Sequence, residues 1–231
     1  MSKTPVYINI RDRFTTTKRL ARQVAAIENA VPVLIDNSST YEPLVEWLAK
    51  CDYEVIRVGS NGGHHSPWRY ISSGSSFSKK WGQEFYIVTD CDLDIGDVPS
   101  DVLSVLAEPF SWGEKVIKSG LSLRIDDLPE WQTKVMEVEA AYWQEPIRDG
   151  RFFVAPIDTT FCMYSSLTPH SLCKMIPKVR SIRSSRPYSA RHMPWYLDCT
   201  NLDEENKHYY EHANSSASWR PDGKALNTRF Q

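Results

Sequence analysis

A chain of 231 residues can bury a substantial core as one large domain or two small ones, and at 41% hydrophobic and 24% charged its composition is that of an ordinary globular protein. A formal charge of -2 gives no general electrostatic drive toward nucleic acid, and no stretch approaches the roughly 18 apolar residues of a membrane span. Five cysteines (Cys51, Cys91, Cys162, Cys173, Cys199) without C-x-x-C spacing argue against a disulfide framework or a zinc site.

The opening MSKTPVYINIRDRF lacks a long apolar run, so no signal peptide is visible and the expected setting is soluble and cytoplasmic, with reduced thiols. The sequons at Asn37 and Asn214 are then chance matches. Val6 to Ile10 reads as a first strand, ending at Arg11-Asp12-Arg13. Thr16 or Thr17 is placed to cap a helix running to about Asn29, with Leu20, Val24 and Ile27 at helical spacing. Val33 to Ile35 is a second strand ending at Asp36-Asn37-Ser38-Ser39. Tyr41 to Lys50 is a second helix and Tyr53 to Val58 a third strand. This alternation implies a mostly parallel sheet. No G-x-G-x-x-G opens the first helix, so a dinucleotide fingerprint is missing.

Ser60 to Ser78, rich in Gly, Ser and His, reads as loop plus a short helix. It carries His64, His65, Trp68 and Arg69, with a surface loop as the bland alternative. Next comes the most informative stretch, FYIVTDCDLD. A buried strand, Phe85 to Thr89, runs into Asp90, Asp92 and Asp94. Carboxylates at the C-terminal end of such a strand emerge where open α/β sheets place ligands, and a pair of them can hold one hard divalent cation. A solvated acidic loop is the rival reading. An EF-hand loop fits poorly, with Ile95 and Asp101 at its sixth and twelfth positions and a strand where a helix should precede, and so does a phosphatase of the haloacid dehalogenase type, with Asp94 four residues after Asp90.

Beyond the acidic motif, Asp101 to Leu106 reads as a short helix, Lys115 to Ile125 as a strand closing at Asp126-Asp127-Leu128-Pro129, and Glu130 to Glu145 as helical. Phe152 to Ala155 and Thr159 to Tyr164 read as strand-like pieces around Pro156-Ile157-Asp158. From Arg180 periodicity fades. Arg180, Arg183, Arg186 and Arg191 form a local basic patch with Tyr188, Trp195 and Tyr196 interleaved. A basic loop facing diphosphate oxygens accounts for these residues more economically than single-stranded nucleic acid does.

Taken in order, the D-x-D motif at Asp90 and Asp92, the I-D-T-T-F at Ile157 to Phe161 and the H-x-P-W-Y from His192 to Tyr196 resemble a GT-A glycosyltransferase across about residues 5 to 220. The sequence is most similar to small stand-alone bacterial and viral enzymes of that kind, including the rhamnosyltransferase domain of a chlorovirus protein. The resemblance implies an α/β GT-A (nucleotide-diphospho-sugar transferase) fold. It would be a single domain over 1-231 with a mixed, mostly parallel central sheet flanked by helices, its nucleotide-binding half at about 5-95 and its acceptor-binding half at about 96-231.

It further implies transfer of a sugar from a UDP-sugar donor to a hydroxyl of a glycan or glycoconjugate, with Mn²⁺ or Mg²⁺ as cofactor and inversion through a carboxylate general base. Asp92 and Asp90 would be the metal ligands, Asp90 nearer the ribose, and Asp36 would accept from the uracil N3–H unless it merely makes an Asx-turn. Arg11, Arg69 and His192 would join the donor site. Asp198 is the first choice of base and Asp158 its close rival, with Asp126 or Asp127 behind them. Trp195 and Tyr196 would stack on a sugar or pack the loop, and Asp94 would be exposed. The rivals are a sugar-nucleotide nucleotidyltransferase, which wants a glycine-rich loop absent from Arg11-Asp12-Arg13-Phe14, and a non-catalytic binding module.

Overall fold

The computed structural model describes residues 3–73, 84–113, 115–166 and 180–213. The sequon at Asn214, Cys173 and the end of the Ser60 to Ser78 segment lie outside them. The first half alternates as expected: β1 (Thr4–Ile10), α1 (Phe14–Ala26), β2 (Ala30–Asp36), α2 (Glu42–Lys50) and β3 (Glu54–Arg57). A 3-10 turn at Gly63–His65 leads into α3 (Ser66–Ser73) and then β4 (Phe85–Asp90). The second half contains β5 (Leu93–Asp94), α4 (Val102–Ala107), β6 (Lys118–Leu123), α5 (Thr133–Ala140), β7 (Pro146–Ile147), β8 (Phe152–Val154), β9 (Cys162–Ser165), β10 (Ser181–His192) and α6 (Glu204–His212).

The strands form one sheet in the order β3-β2-β1-β4-β9-β6-β10-β8-β7, with β5 on β10. β1 pairs parallel with β2 and β4, and β6 parallel with β10, while β9 runs antiparallel between β4 and β6. The mixed, mostly parallel α/β sheet flanked by helices, expected from the sequence, is therefore the architecture observed. β1 shows why the strands form. Val6, Ile8 and Ile10 pack with Leu20, Val24 and Leu44 on one face, and Tyr7 packs with Trp68 and Tyr86 on the other. Each such side chain taken out of water contributes about 1.5–3 kcal/mol. The close approach of β9 to β6 requires Gly120: a Cβ there would lie 3.0 Å from the Cys162 Cα and from the Thr160 carbonyl oxygen.

Two local expectations are corrected. Helix α1 begins at Phe14, before either threonine, and the Thr17 hydroxyl donates back to the Arg13 carbonyl from inside the first turn. The N-terminal donors are instead met by Glu205 of α6, whose carboxylate accepts from the Thr15 N–H at 3.1 Å and from its hydroxyl at 2.7 Å. The Arg180 segment is no irregular loop either. Residues 181–192 form the longest strand described, which reaches β6, β8 and β5 by way of a register shift between Ser184 and Ser189. That shift breaks the alternation that would have marked it as a strand.

Candidate functional site

β4 delivers the first carboxylate. It is buried through Tyr86, Ile87, Val88 and Thr89 and ends at Asp90, paired with Asn9 of β1. The I-D-T-T-F segment clamps this end. Asp90 N–H donates to the Thr159 carbonyl at 3.0 Å, the Thr159 hydroxyl donates to Asp90 Oδ2 at 2.5 Å, and Phe161 N–H donates to the Thr89 hydroxyl at 3.3 Å. Phe161 takes a left-handed φ of 42° to do so. The clamp leaves Asp158 exposed, within electrostatic reach of Asp90.

The chain then turns, and β5 pairs antiparallel with the end of β10, His192 opposite Leu93. Met193 N–H donates to the Asp92 carbonyl at 2.8 Å, and His192 Nε2 comes 3.5 Å from Asp92 Oδ1. The D-x-D and H-x-P-W-Y motifs, a hundred residues apart, thus meet through a two-residue ladder.

The electrostatics are those of an under-neutralised acid cluster. Burial, then Asp92 and Asp158, push the Asp90 carboxyl well above its ordinary range, with the Thr159 hydroxyl opposing only in part. Burial lowers the His192 imidazole and the Arg13 charge adds to this, against the upward pull of Asp92, which leaves a neutral ring at neutral pH. Among the described residues, Asp92 Oδ1 and His192 Nδ1 are both buried without a hydrogen-bond partner. Among the described residues, no three His, Cys, Asp or Glu side chains come together closely enough to form a finished metal cage. The donor chemistry nonetheless fits a divalent cation: an orphaned carboxylate oxygen, a second carboxylate kept from ionising freely by its neighbours, and a neutral imidazole.

The remaining expected residues divide. Asp36 accepts from Ser39 N–H, three residues on, at 2.9 Å, which fixes the turn after β2 without the two-residue bond of an Asx-turn, and gives its other oxygen to Arg57 at 2.9 Å. Arg11 holds the carbonyls of Asn37 and Ser38, at 3.0 and 2.5 Å, across the carboxyl ends of β1 and β2. The Asn37 sequon lies on a side chain only 2% exposed whose amide bonds Asn61 and Gly63. Arg69 is exposed on α3, with Nη1 near Gly62. Trp68 is a core residue, its ring edge-on to Tyr164 with centroids 4.8 Å apart, whereas His64 and His65 are exposed.

Asp198 is exposed, and hydrogen bonds from the hydroxyl and N–H of Thr200, at 2.7 and 2.8 Å, hold its carboxyl below the usual range. Asp94 is not free: it accepts from Gln23 at 2.6 Å and Arg19 at 3.2 Å. The expected basic patch is neutralised within the chain. Arg183 is buried against Glu139 at 2.9 Å, Arg186 pairs with Asp126 at 2.9 Å, and Arg191 bonds Asp97 and Asp127 at 2.6 Å each. Trp195 packs in the core against His192, and the Tyr196 hydroxyl donates to Asp127 at 2.6 Å.

Sequence reading missed α6 and what it holds. Asp203 caps it, accepting from Asn206 N–H at 2.8 Å; the run Asp203-Glu204-Glu205 was the available signal. Asn206, Tyr209 and Tyr210 enclose the Arg13 guanidinium, which lies in the field of Asp92. Among the described residues no helix is long and apolar enough to cross a membrane.

No protein-family model and no curated protein sequence matches this chain. Among solved structures, it is similar to glucosyl-3-phosphoglycerate synthase from Mycobacterium tuberculosis in complex with phosphoglyceric acid, at 15% identity and a TM-score of 0.45, over 71% of this chain and 57% of that one. The same enzyme with Mn²⁺ and UDP-glucose gives 13% and 0.42, over 71% and 56%. A 4-diphosphocytidyl-2C-methyl-D-erythritol synthase gives 11% and 0.38, over 91% and 85%. The chain spans little more than half the length of the first enzyme, and similarity at this level bears on neither substrate nor chemistry.

Proposed function

We propose that the chain is a metal-dependent glycosyltransferase of the small stand-alone GT-A kind its sequence resembles, moving a sugar from a UDP-sugar to a hydroxyl of a glycan or glycoconjugate. One observation carries this reading. Asp90, Asp92 and Asp158 converge at the carboxyl end of a parallel strand, with a buried carboxylate oxygen left unpartnered beside a neutral imidazole. Such a cluster is costly unless a cation joins it, and the carboxyl ends of parallel strands are where α/β sheets bind their ligands.

In this reading Asp92 Oδ1 and His192 hold a divalent cation, with Asp90 beside them, tied down by Thr159. The bound cation supplies charge neutralisation for the diphosphate as UDP leaves. The nucleoside lies over the ends of β1 and β2, near Arg11; both Asp36 oxygens are already bonded, one to Ser39 N–H and one to Arg57, so Asp36 can accept the uracil N3–H only by sharing one of them. Inverting transfer needs a carboxylate that deprotonates the acceptor hydroxyl. Asp158, exposed and within electrostatic reach of Asp90, suits that role; at Asp198 the Thr200 hydroxyl and N–H hold the carboxyl low, which disfavours taking up a proton.

The test is calorimetric titration of UDP with and without Mn²⁺, repeated with Asp92→Ala. Metal-dependent binding that the substitution abolishes is the expected result; no UDP binding in either condition would sink the reading. Turnover then separates the bases. Asp158→Asn is expected to lose about 10²–10⁴-fold in kcat with UDP affinity kept, and Asp198→Asn only a few-fold.

A further inference from the structure

Arg13 is an unusual buried cation. It is 4% exposed, and among the described residues no carboxylate lies within ion-pair distance of it. Its partners are neutral: Nη1 donates to Asn206 Oδ1 at 2.5 Å, Nη2 to the Tyr210 hydroxyl at 3.4 Å, and the guanidinium carbon sits 3.7 Å from the centre of the Tyr209 ring. Nε is buried with no acceptor. The other buried arginine described, Arg183, contacts Glu139 directly at 2.9 Å. A guanidinium buried without a contact anion is costly, and an unfilled donor marks where an acceptor is wanted. The charge that Arg13 does feel is that of Asp92, and its own charge reaches His192. Helix α6 builds this arrangement: Asp203 fixes Asn206, Asn206 and the two tyrosines fix Arg13, and Glu205 anchors the helix to the start of α1.

We infer that Arg13 is a resident counter-cation of the acid cluster, competing electrostatically with the divalent metal for Asp92 and offsetting, through its field, the charge of the donor diphosphate once it binds. This rests on the donor-site reading proposed above. It makes α6 part of the site. It also predicts effects of opposite sign, which a merely structural role cannot produce. Removing the Arg13 charge makes the cluster more negative, so Mn²⁺ alone binds more tightly. The diphosphate meanwhile loses a cation, so UDP binding at saturating Mn²⁺ weakens.

The experiment titrates Mn²⁺ alone, then UDP at saturating Mn²⁺, into the full chain and into Arg13→Gln, Arg13→Lys and Asn206→Asp. Arg13→Gln is expected to bind Mn²⁺ several-fold more tightly and UDP roughly tenfold more weakly, a few-fold being the least that a lost neighbouring charge predicts. Arg13→Lys keeps the charge and is expected to restore Mn²⁺ affinity to that of the parent. Asn206→Asp leaves Arg13 in place but pairs it with a new carboxylate. It is expected to shift both affinities in the same directions as Arg13→Gln, which keeps the test decisive if Arg13→Gln does not fold. If the charge-removing variants weaken both ligands together, or move neither, the inference is overturned while the donor site stands. If the parent protein binds neither Mn²⁺ nor UDP, the donor-site reading falls and this inference with it.

Discussion

Two sets of carboxylates border the β5–β10 ladder, and the protein treats them in opposite ways. Asp97 receives hydrogen bonds from Arg191 at 2.6 Å and Arg124 at 2.9 Å, which hold its carboxyl below the ordinary range. Asp127 is pushed up by burial, but the Tyr196 hydroxyl and Arg191 outweigh this and leave it lowered. Asp94 follows the same pattern: the Gly96 N–H, Gln23 and Arg19 overcome its burial. Among the described residues Asp90 and Asp92 have no such cations in contact, and Asp90 is raised. The D-x-D-x-D run therefore divides between its second and third members. Asp94 ties the loop to α1, whereas Asp90 and Asp92 keep unspent negative charge at the carboxyl end of β4. Carboxylates with arginines at contact distance hold the structure together, and those without are available to a ligand.

Substitutions sharpen this contrast. The largest effect is expected at an ion pair whose two partners are both buried. Glu139→Ala strands Arg183, 4% exposed, and should cost about 3–5 kcal/mol in denaturant unfolding. At the other pole, Asp92→Ala should leave the fold intact and weaken Mn²⁺-dependent UDP binding by roughly a hundredfold or more. Equal losses of stability from the two substitutions would erase the distinction.

Asp90→Asn should stabilise the metal-free protein. A carboxyl raised in the folded state favours folding at pH values below its unfolded value and loses that contribution as pH rises through the folded one. The parent protein should therefore lose stability from mildly acidic toward neutral pH, and the amide should remove this component. The expected gain at pH 7 is on the order of 1 kcal/mol, a few degrees in Tm. Added Mn²⁺ should raise the Tm of the parent more than that of the variant. A parent no less stable at pH 7 than at pH 5, or a variant that melts lower, would count against an under-neutralised cluster.

The parallel half of the fold was legible because β1, β2 and β4 are mostly apolar and buried on both faces, and because α1 and α2 carry periodic apolar stripes. Asp90 and Asp92 stood out for the same reason: they end such a run. The second half was harder to read. β10 carries arginines and serines that its burial tolerates only because Arg183 meets Glu139 and Ser184 bonds the Gly120 and Tyr188 carbonyls. Glu139 and Gly120 are remote in sequence, and the Tyr188 carbonyl lies within reach only through the register shift. Arg13 was visible as a basic residue after β1, but nothing local says that Asn206 and Tyr209 close over it. His192 was singled out from its motif. That it faces Asp92 depends on a ladder of only two residue pairs.

The smallest expected effect is also the cleanest control on the comparison. Asp97 is 58% exposed on its side chain, so its bonds to Arg191 and Arg124 are screened by solvent and salt, and the ordered arginines offset part of the gain. Asp97→Asn should therefore cost less than about 1 kcal/mol at low ionic strength and still less in high salt. The sign of its pH dependence is opposite to that of Asp90. A lowered carboxyl stabilises above its unfolded value and loses that contribution as pH falls through the folded one, so the variant should differ from the parent at neutral pH and converge with it in acid. Mn²⁺ and UDP affinities should stay within about twofold of the parent, because Arg191 keeps Asp127 at 2.6 Å and the β5–β10 ladder keeps His192 opposite Leu93. A large loss of metal affinity in Asp97→Asn would show that the paired carboxylates also set the charge at Asp92, and the two sets would then have to be treated as one coupled system.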